Sequence, residues 1–231
     1  MEFIHEKIDI GYDTLDRAEH SDGRRYLTLD GVAYPSVTTV LSILGEEKIA
    51  AWKAKVGEAK AEQIGKVARE RGTAVHSIVE KYLKNEDTSD FLPHIKQSLE
   101  NLKPLFHRGF GKIYGNEVPL YSDHLKLAGT CDCIAEWHGV PSVVDFKTSN
   151  GIFDTHIIQV AAYAKALEEQ LLAIGNPPEK AEVKEAYVVR FSKFHNEYEV
   201  KRVANIDESF NAFKACLFLW HYKQKNQMES V

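Results

Sequence analysis

The chain is poor in cysteine, with three in 231 residues: Cys131, Cys133 and Cys216. So few thiols exclude a disulfide framework, and Cys131 and Cys133 stand too close in sequence for an easy bridge. Strand alternation puts this pair on one sheet face, turned away from Asp132, as buried thiols; a zinc module of Cys131, Cys133 and His138 is the competing reading. Long apolar runs are missing too. No stretch approaches the roughly 20 residues that a bilayer span requires, so no membrane partner is expected. The opening MEFIHEKIDIGYD lacks both the apolar core of a secretory signal and the Arg-rich bias of a transit peptide, and the expected location is the cytoplasm. A basic excess is also lacking. The formal net charge of -5 argues against a general electrostatic grip on nucleic acid. It does not exclude a local one, because an acidic site loaded with a cation inverts its own field and a stripe of Lys and Arg can follow a backbone.

What is present centres on Leu127 to Ser149, LAGTCDCIAEWHGVPSVVDFKTS. Two apolar runs joined around His138-Gly139 read as paired strands, each carrying a carboxylate. Alternation sends Asp145 and Lys147 to one face and Phe146 to the other, into a core. If the register sets Asp132 across from Asp145, two carboxylates and an ammonium meet at one sheet edge. Such carboxylates repel, and one takes up a proton unless a cation lies between them. Mg2+ or Mn2+, as one or two ions, suits oxygen donors of this kind.

With 44% hydrophobic residues the chain can bury one substantial core, and residues 1–231 are expected to form one domain. Its first part, 1–110, is read as a hairpin and helices, and 111–231 as a sheet with flanking helices. Asp30-Gly31 signals a two-residue hairpin turn. The hydroxyls of Ser36, Thr38 and Thr39 could bond phosphate oxygens or cap a helix. Glu46 to Glu70 reads as a long helix, broken near Gly57, in which Trp52 packs in the core or stacks on a base. Gly72 ends that pattern, and a second helix, Thr73 to Leu83, projects His76 and Glu80 from one face. A third is expected from Phe91 to about Phe106, kinked at Pro93 and ended early by Lys103-Pro104. Ile113 to Tyr121 reads as the first strand of the sheet, with Glu117 near its middle. Thr155 to Leu172 follows as an amphipathic helix carrying Gln159 and Tyr163 on one face. Val183 to Phe191 and Tyr198 to Val203 read as strands separated by residues 192–196, and Glu208 to about Lys223 as a last helix before a frayed end.

Taken together, Gly72-Thr73-x-x-His76, Glu80, Glu117, Gly129, Asp132, Asp145-Phe146-Lys147 and Gln159-x-x-x-Tyr163 resemble the PD-(D/E)XK nuclease superfamily. The likeness is to its RecB-like exonuclease branch, which includes mitochondrial and phage enzymes, and spans about Tyr34 to Ala166. The proline that often precedes the first acid is replaced by Cys131. The resemblance implies an α/β, restriction-endonuclease-like core: a central mixed β-sheet flanked by helices, with an N-terminal helical region arching over the active site. It implies a metal-dependent deoxyribonuclease acting on single-stranded DNA from a free end, in DNA repair or recombination, in a bacterial or phage-infected host and with possible replication or recombination partners. Lys147, Asp132, Asp145, Gln159 and Tyr163 would be catalytic. His76, Asp132, Asp145 and the Phe146 backbone carbonyl would hold metal, with Glu117 and Glu80 as further candidates. Ser36, Thr38, Thr39, Trp52, Arg71, Thr73, Thr148 and Ser149 would contact nucleic acid. The four-cysteine iron–sulfur cluster of some relatives has too few thiolates here. A structure-selective endonuclease and a catalytically inactive nucleic-acid-binding partner are the alternatives.

Overall fold

A computed structural model of the chain describes residues 2–20, 23–191 and 197–229. Residues 192–196, the expected connection between the last two strands, lie outside the described residues. A three-stranded antiparallel sheet comes first, from β1 (Arg17–His20), β2 (Gly23–Leu27) and β3 (Ala33–Pro35). The hairpin expected at Asp30-Gly31 forms between β2 and β3. Its connection is five residues long, because Thr28 and Val32 close the loop by a backbone bond of 2.9 Å. Strand β1 had no counterpart in the sequence reading, since all four of its residues are exposed and carry no apolar alternation.

Helices follow: α1 (Val37–Leu41), α2 (Glu46–Val56), α3 (Glu58–Leu83) and α4 (Pro93–Gly109). Gly57 separates α2 from α3 at a φ of +87°, a conformation that favours glycine, so the break expected there is present. The break expected at Gly72 is absent. A Cβ at Gly72 would lie 3.4 Å from Thr148 Oγ1, so this glycine lets α3 run close past the chain leaving the main sheet. Pro104 likewise leaves α4 intact. Leu102 and Phe106 on either side of it are fully buried, and that packing outweighs the lost backbone bond. Pro93 opens α4 at its first turn and produces no kink.

The main sheet has the order β4 (Phe110–Ser122), β5 (Leu127–Trp137), β6 (Val140–Lys147), β7 (Glu185–Phe191) and β8 (Tyr198–Arg202). Neighbours are antiparallel except β6 and β7, which run parallel through α5 (Asp154–Ala173) and a short α6 (Pro178–Ala181). His138 and Gly139 both take positive φ, as a tight two-residue hairpin requires. A final α7 (Ile206–Glu229) continues past Lys223, where the sequence suggested fraying.

Both faces of this sheet are covered. On one, Leu120, Val143 and Val188 pack with Val160 and Leu167 of α5 and Phe213 and Trp220 of α7. On the other, Val144, Phe146 and Val189 pack with Ile78 and Val79 of α3 and Leu102 and Phe106 of α4. The neighbouring pairs Val143/Val144 and Val188/Val189 therefore serve opposite cores, as strand alternation demands. Helix α5 differs from expectation: it is buried nearly all round, because α7 and α1 cover the side that an amphipathic helix would give to water. Among the described residues no helix is long and apolar enough to cross a membrane.

Phe106 links these layers, lying 5.1 Å from the Phe110 ring and edge-on to Phe146 at 5.9 Å. Phe106→Ala should lower unfolding free energy by about 3–5 kcal/mol. Urea unfolding monitored by circular dichroism checks this, and an unchanged midpoint would contradict the packing described.

Candidate active site

The β5–β6 ladder pairs Cys133 with Val144, and the next rung brings Asp132 beside Asp145. There the side chain takes over from the backbone: the Phe146 N–H donates to Asp132 Oδ2 at 2.7 Å. Asp145 is fully buried. Lys147 Nζ sits 2.9 Å from its Oδ1 and 2.7 Å from its Oδ2, on the shared face expected of residues two apart. The Gln159 amide, from α5, donates to Asp145 Oδ1 and to the Tyr163 hydroxyl, each at 3.2 Å. Tyr163 lies against Gly129 so closely that a Cβ there would fall 2.6 Å from the ring, which explains a glycine in mid-strand.

Two further elements close on Asp132. From α3, His76 Nδ1 approaches Asp132 Oδ1 at 3.5 Å. From β4, Glu117 faces Asp132 across the sheet, since its neighbours Asn116 and Val118 pair with Cys133 and Cys131. Glu117 takes a φ of +51°, and two irregularities earlier in β4, each adding a residue to that strand, help set its register. Side-chain alternation changes phase at this rung. Cys131 packs in the core beneath α5 and Cys133 in the core beneath α3, so the two thiols do not share a face as expected. That separation also removes the zinc reading of Cys131, Cys133 and His138.

Donor atoms of His76, Glu117 and Asp132 all lie within 4.8 Å of one another, the arrangement among the described residues that could hold a metal ion. Asp145 adds a second feature. Its buried Oδ2 accepts no hydrogen bond of good geometry, and its charge is offset by the Lys147 ammonium 2.7 Å away. The two carboxylates and the imidazole of the His76, Glu117 and Asp132 trio fit a hard divalent ion, whereas Asp145, expected among the ligands, is not part of the trio and pairs with Lys147 instead. Glu80 also lines the cleft, but it is tied to Lys84 at 2.6 Å.

Electrostatics follow from this crowding. Burial, only partly offset by Lys147, pushes the Asp145 carboxyl up to about 6. Burial opposes the Lys147 ammonium as well, but Asp145 and Asp132 outweigh it and hold its pKa above the ordinary range. For Asp132 the balance runs the other way: against burial, His76, Lys147 and the Phe146 N–H bring its carboxyl below the usual value. His76 is raised, because Asp132 more than offsets its burial. Glu117 keeps an exposed side toward the cleft. Even so, the protein crowded around it, and then the Asp132 charge, push its carboxyl up to about 7. His156, near the start of α5, is pushed down to about 4 by burial and by Lys147.

The cleft above these groups measures about 490 Å³. Of the residues expected to touch nucleic acid, Ser36, Thr38 and Thr73 line it. Ser36 is nevertheless occupied as the cap of α1, accepting the Thr39 N–H at 2.9 Å. Thr39 is buried, with the Arg24 N–H donating to its hydroxyl. Thr148 packs against Gly72, and the Ser149 hydroxyl donates to the Gly151 carbonyl. Arg71 and Trp52 are not among the lining residues, and Trp52 is exposed at 38%, outside the core where packing was expected. Arg17, Arg24, Tyr26 and Thr130 line the cleft and were missed. Arg17 sits in an exposed four-residue strand without apolar alternation, and Arg24 sits in β2, whose residues suggest a strand but not which face meets the cleft.

No protein-family model matches the chain, and comparison with curated proteins finds no match either.

A raised carboxyl favours the folded state most below its ordinary pKa, and that contribution is lost as pH climbs through the raised value. Glu117, lifted from 4.5 to about 7, should therefore erode stability across that interval in metal-free protein. Glu117→Gln should flatten the fall of melting temperature between pH 4.5 and 7 measured in a chelator. An identical slope in both proteins would contradict the placement of this carboxyl.

Proposed function

We propose that this protein is a divalent-metal-dependent deoxyribonuclease that hydrolyses phosphodiester bonds, with single-stranded DNA digested from a free end as the preferred substrate. The observation that carries this reading is the meeting of Asp132, Asp145 and Lys147 at one strand edge, with His76 and Glu117 converging on Asp132. The order of these residues along the chain resembles that of the RecB-like PD-(D/E)XK nucleases, and the five-stranded mixed sheet with helices on both faces is compatible with a restriction-endonuclease-like core.

In this reading His76, Glu117 and Asp132 would hold Mg2+ or Mn2+, with Asp145 and the Phe146 carbonyl as further candidates only from the resemblance. The ion would lower the pKa of a water and offset charge on the reacting phosphate. The chain's own groups supply the rest. Lys147, kept as an ammonium by its two carboxylates, donates to a phosphate oxygen and stabilises the charge that grows there. Gln159 holds Asp145 and the Tyr163 hydroxyl in register, which leaves that hydroxyl proton able to orient the phosphate. Water oxygen bonds to phosphorus, the bond to the 3′ oxygen breaks, and the products are a 5′-phosphate and a 3′-hydroxyl.

Residues 46–70 bury Ala61 and little else, and expose Ile49, Trp52, Ile64 and Val67 among lysines. A helical arm of that kind suits an arch that admits a strand with an end, and Trp52 on it can stack on a base.

Lys147→Ala should lower cleavage of a linear single strand by a hundredfold or more, on the order of what removing one electrostatic stabiliser costs. Asp132→Asn keeps an acceptor for the Phe146 N–H, so it should retain the wild-type melting curve in chelator while losing metal-dependent turnover. End-labelled linear strands and a closed single-stranded circle, timed side by side in Mg2+ and Mn2+, check both variants. Equal cutting of circle and line would point to an endonuclease. Wild-type rates in Lys147→Ala would overturn the mechanism.

A further inference from the structure

The N-terminal sheet stands over the cleft with one face turned into it. Arg17 pairs across the strands with Tyr26, and Glu19 with Arg24, so these four side chains share a face. That face is pinned in place: the Tyr26 hydroxyl lies 3.1 Å from Thr130 Oγ1, two residues from Asp132. At the other end of β2, Gly23 is wedged against Thr39, where a Cβ would come within 2.5 Å of the side chain, and the Ser36 N–H donates to the Arg24 carbonyl at 2.9 Å. Glu19 receives Arg24 Nε at 3.0 Å and fixes its guanidinium. Arg25, on the opposite face, covers Trp220 of α7 instead.

Arg17, Arg24 and Thr38 line the same cleft as His76, Glu80, Glu117 and Asp132. In a chain of net charge -5, a polyanion needs such a local patch to be held at all. Guanidinium groups fit phosphate oxygens through paired N–H donors, and both arginines share the cleft-lining face with Tyr26, which is pinned to Thr130 two residues from Asp132. We propose that Arg17 and Arg24 form a second phosphate subsite, which binds the phosphate next to the one cleaved and so sets which strands are productive substrates. The inference rests on the nuclease reading and adds to it a specificity determinant from β1 and β2.

Two sources share this chemistry, an internal phosphodiester and a terminal phosphate monoester, and the test separates them. Single strands carrying a neutral methylphosphonate at each position in turn, with either a 5′-phosphate or a 5′-hydroxyl end, are cut by wild type and by the R17Q/R24Q double variant. Wild type should lose about tenfold or more in kcat/KM when one particular flanking charge is removed, and the double variant should lose a similar factor on the fully charged strand. The two losses should not add, and the logarithmic salt dependence of KM should flatten by about 0.7 per arginine. Sensitivity at an internal position identifies a phosphodiester, and sensitivity to the end group alone identifies a monoester. Additive losses, or wild-type kcat/KM and salt dependence in R17Q/R24Q, would overturn the subsite while leaving the nuclease reading standing. A wild-type protein that cuts none of these strands in Mg2+ or Mn2+ would instead remove the reading beneath it.

Discussion

Two carboxylates are held side by side at the end of a strand ladder, and the surrounding structure answers that repulsion. Asp145 has no exposed surface, and a buried carboxylate without compensation costs several kcal/mol. The protein compensates from three directions: Lys147 from the same strand, Gln159 from the helix that follows, and the Phe146 N–H, which satisfies Asp132 so that the two acids can remain adjacent. His76 completes the arrangement from α3. Each is positioned by an element that also belongs to one of the two hydrophobic cores, so the charged cluster is as rigid as the packing beneath it.

That packing explains several local choices that otherwise look arbitrary. Gly129 leaves room for the Tyr163 ring, and Gly72 lets α3 pass close enough to Thr148 to bring His76 to the site. Glu117 accepts a left-handed backbone in the middle of a strand and faces Asp132 in return. Strain of this kind persists where surrounding structure over-determines it. Here the bulged β4 and the covered α5 supply that constraint.

Much of this was legible in the chain. The β5–β6 hairpin was announced by its apolar runs and by His138-Gly139, and the facing of Asp145, Phe146 and Lys147 followed from the period of a strand. His76 with Glu80, and Gln159 with Tyr163, followed from the period of a helix. Other features were illegible for physical reasons. Gly72 carries the same letter whether it ends a helix or permits a close approach, and Pro104 is tolerated only because Leu102 and Phe106 are buried around it. The phase change that sends Cys131 and Cys133 to different cores depends on tertiary packing that alternation alone cannot express. Strand β1 buries nothing, so neither it nor Arg17 left a hydrophobic signature, and the cleft-facing side of Arg24 is set by the pairing of β2 with β1. The exposure of Trp52 was missed because helical spacing identifies a face without saying whether anything covers it.

The proposed metal dependence requires that Asp132 and Glu117, with His76, bind a divalent cation. Crystals grown without metal and soaked in Mn2+, with anomalous scattering recorded at the manganese edge, test it most directly. The account predicts a strong peak in contact with Asp132, Glu117 and His76, with occupancy lost in Asp132→Asn crystals. Manganese bound elsewhere, with the three side chains unmoved and no density between them, would contradict it.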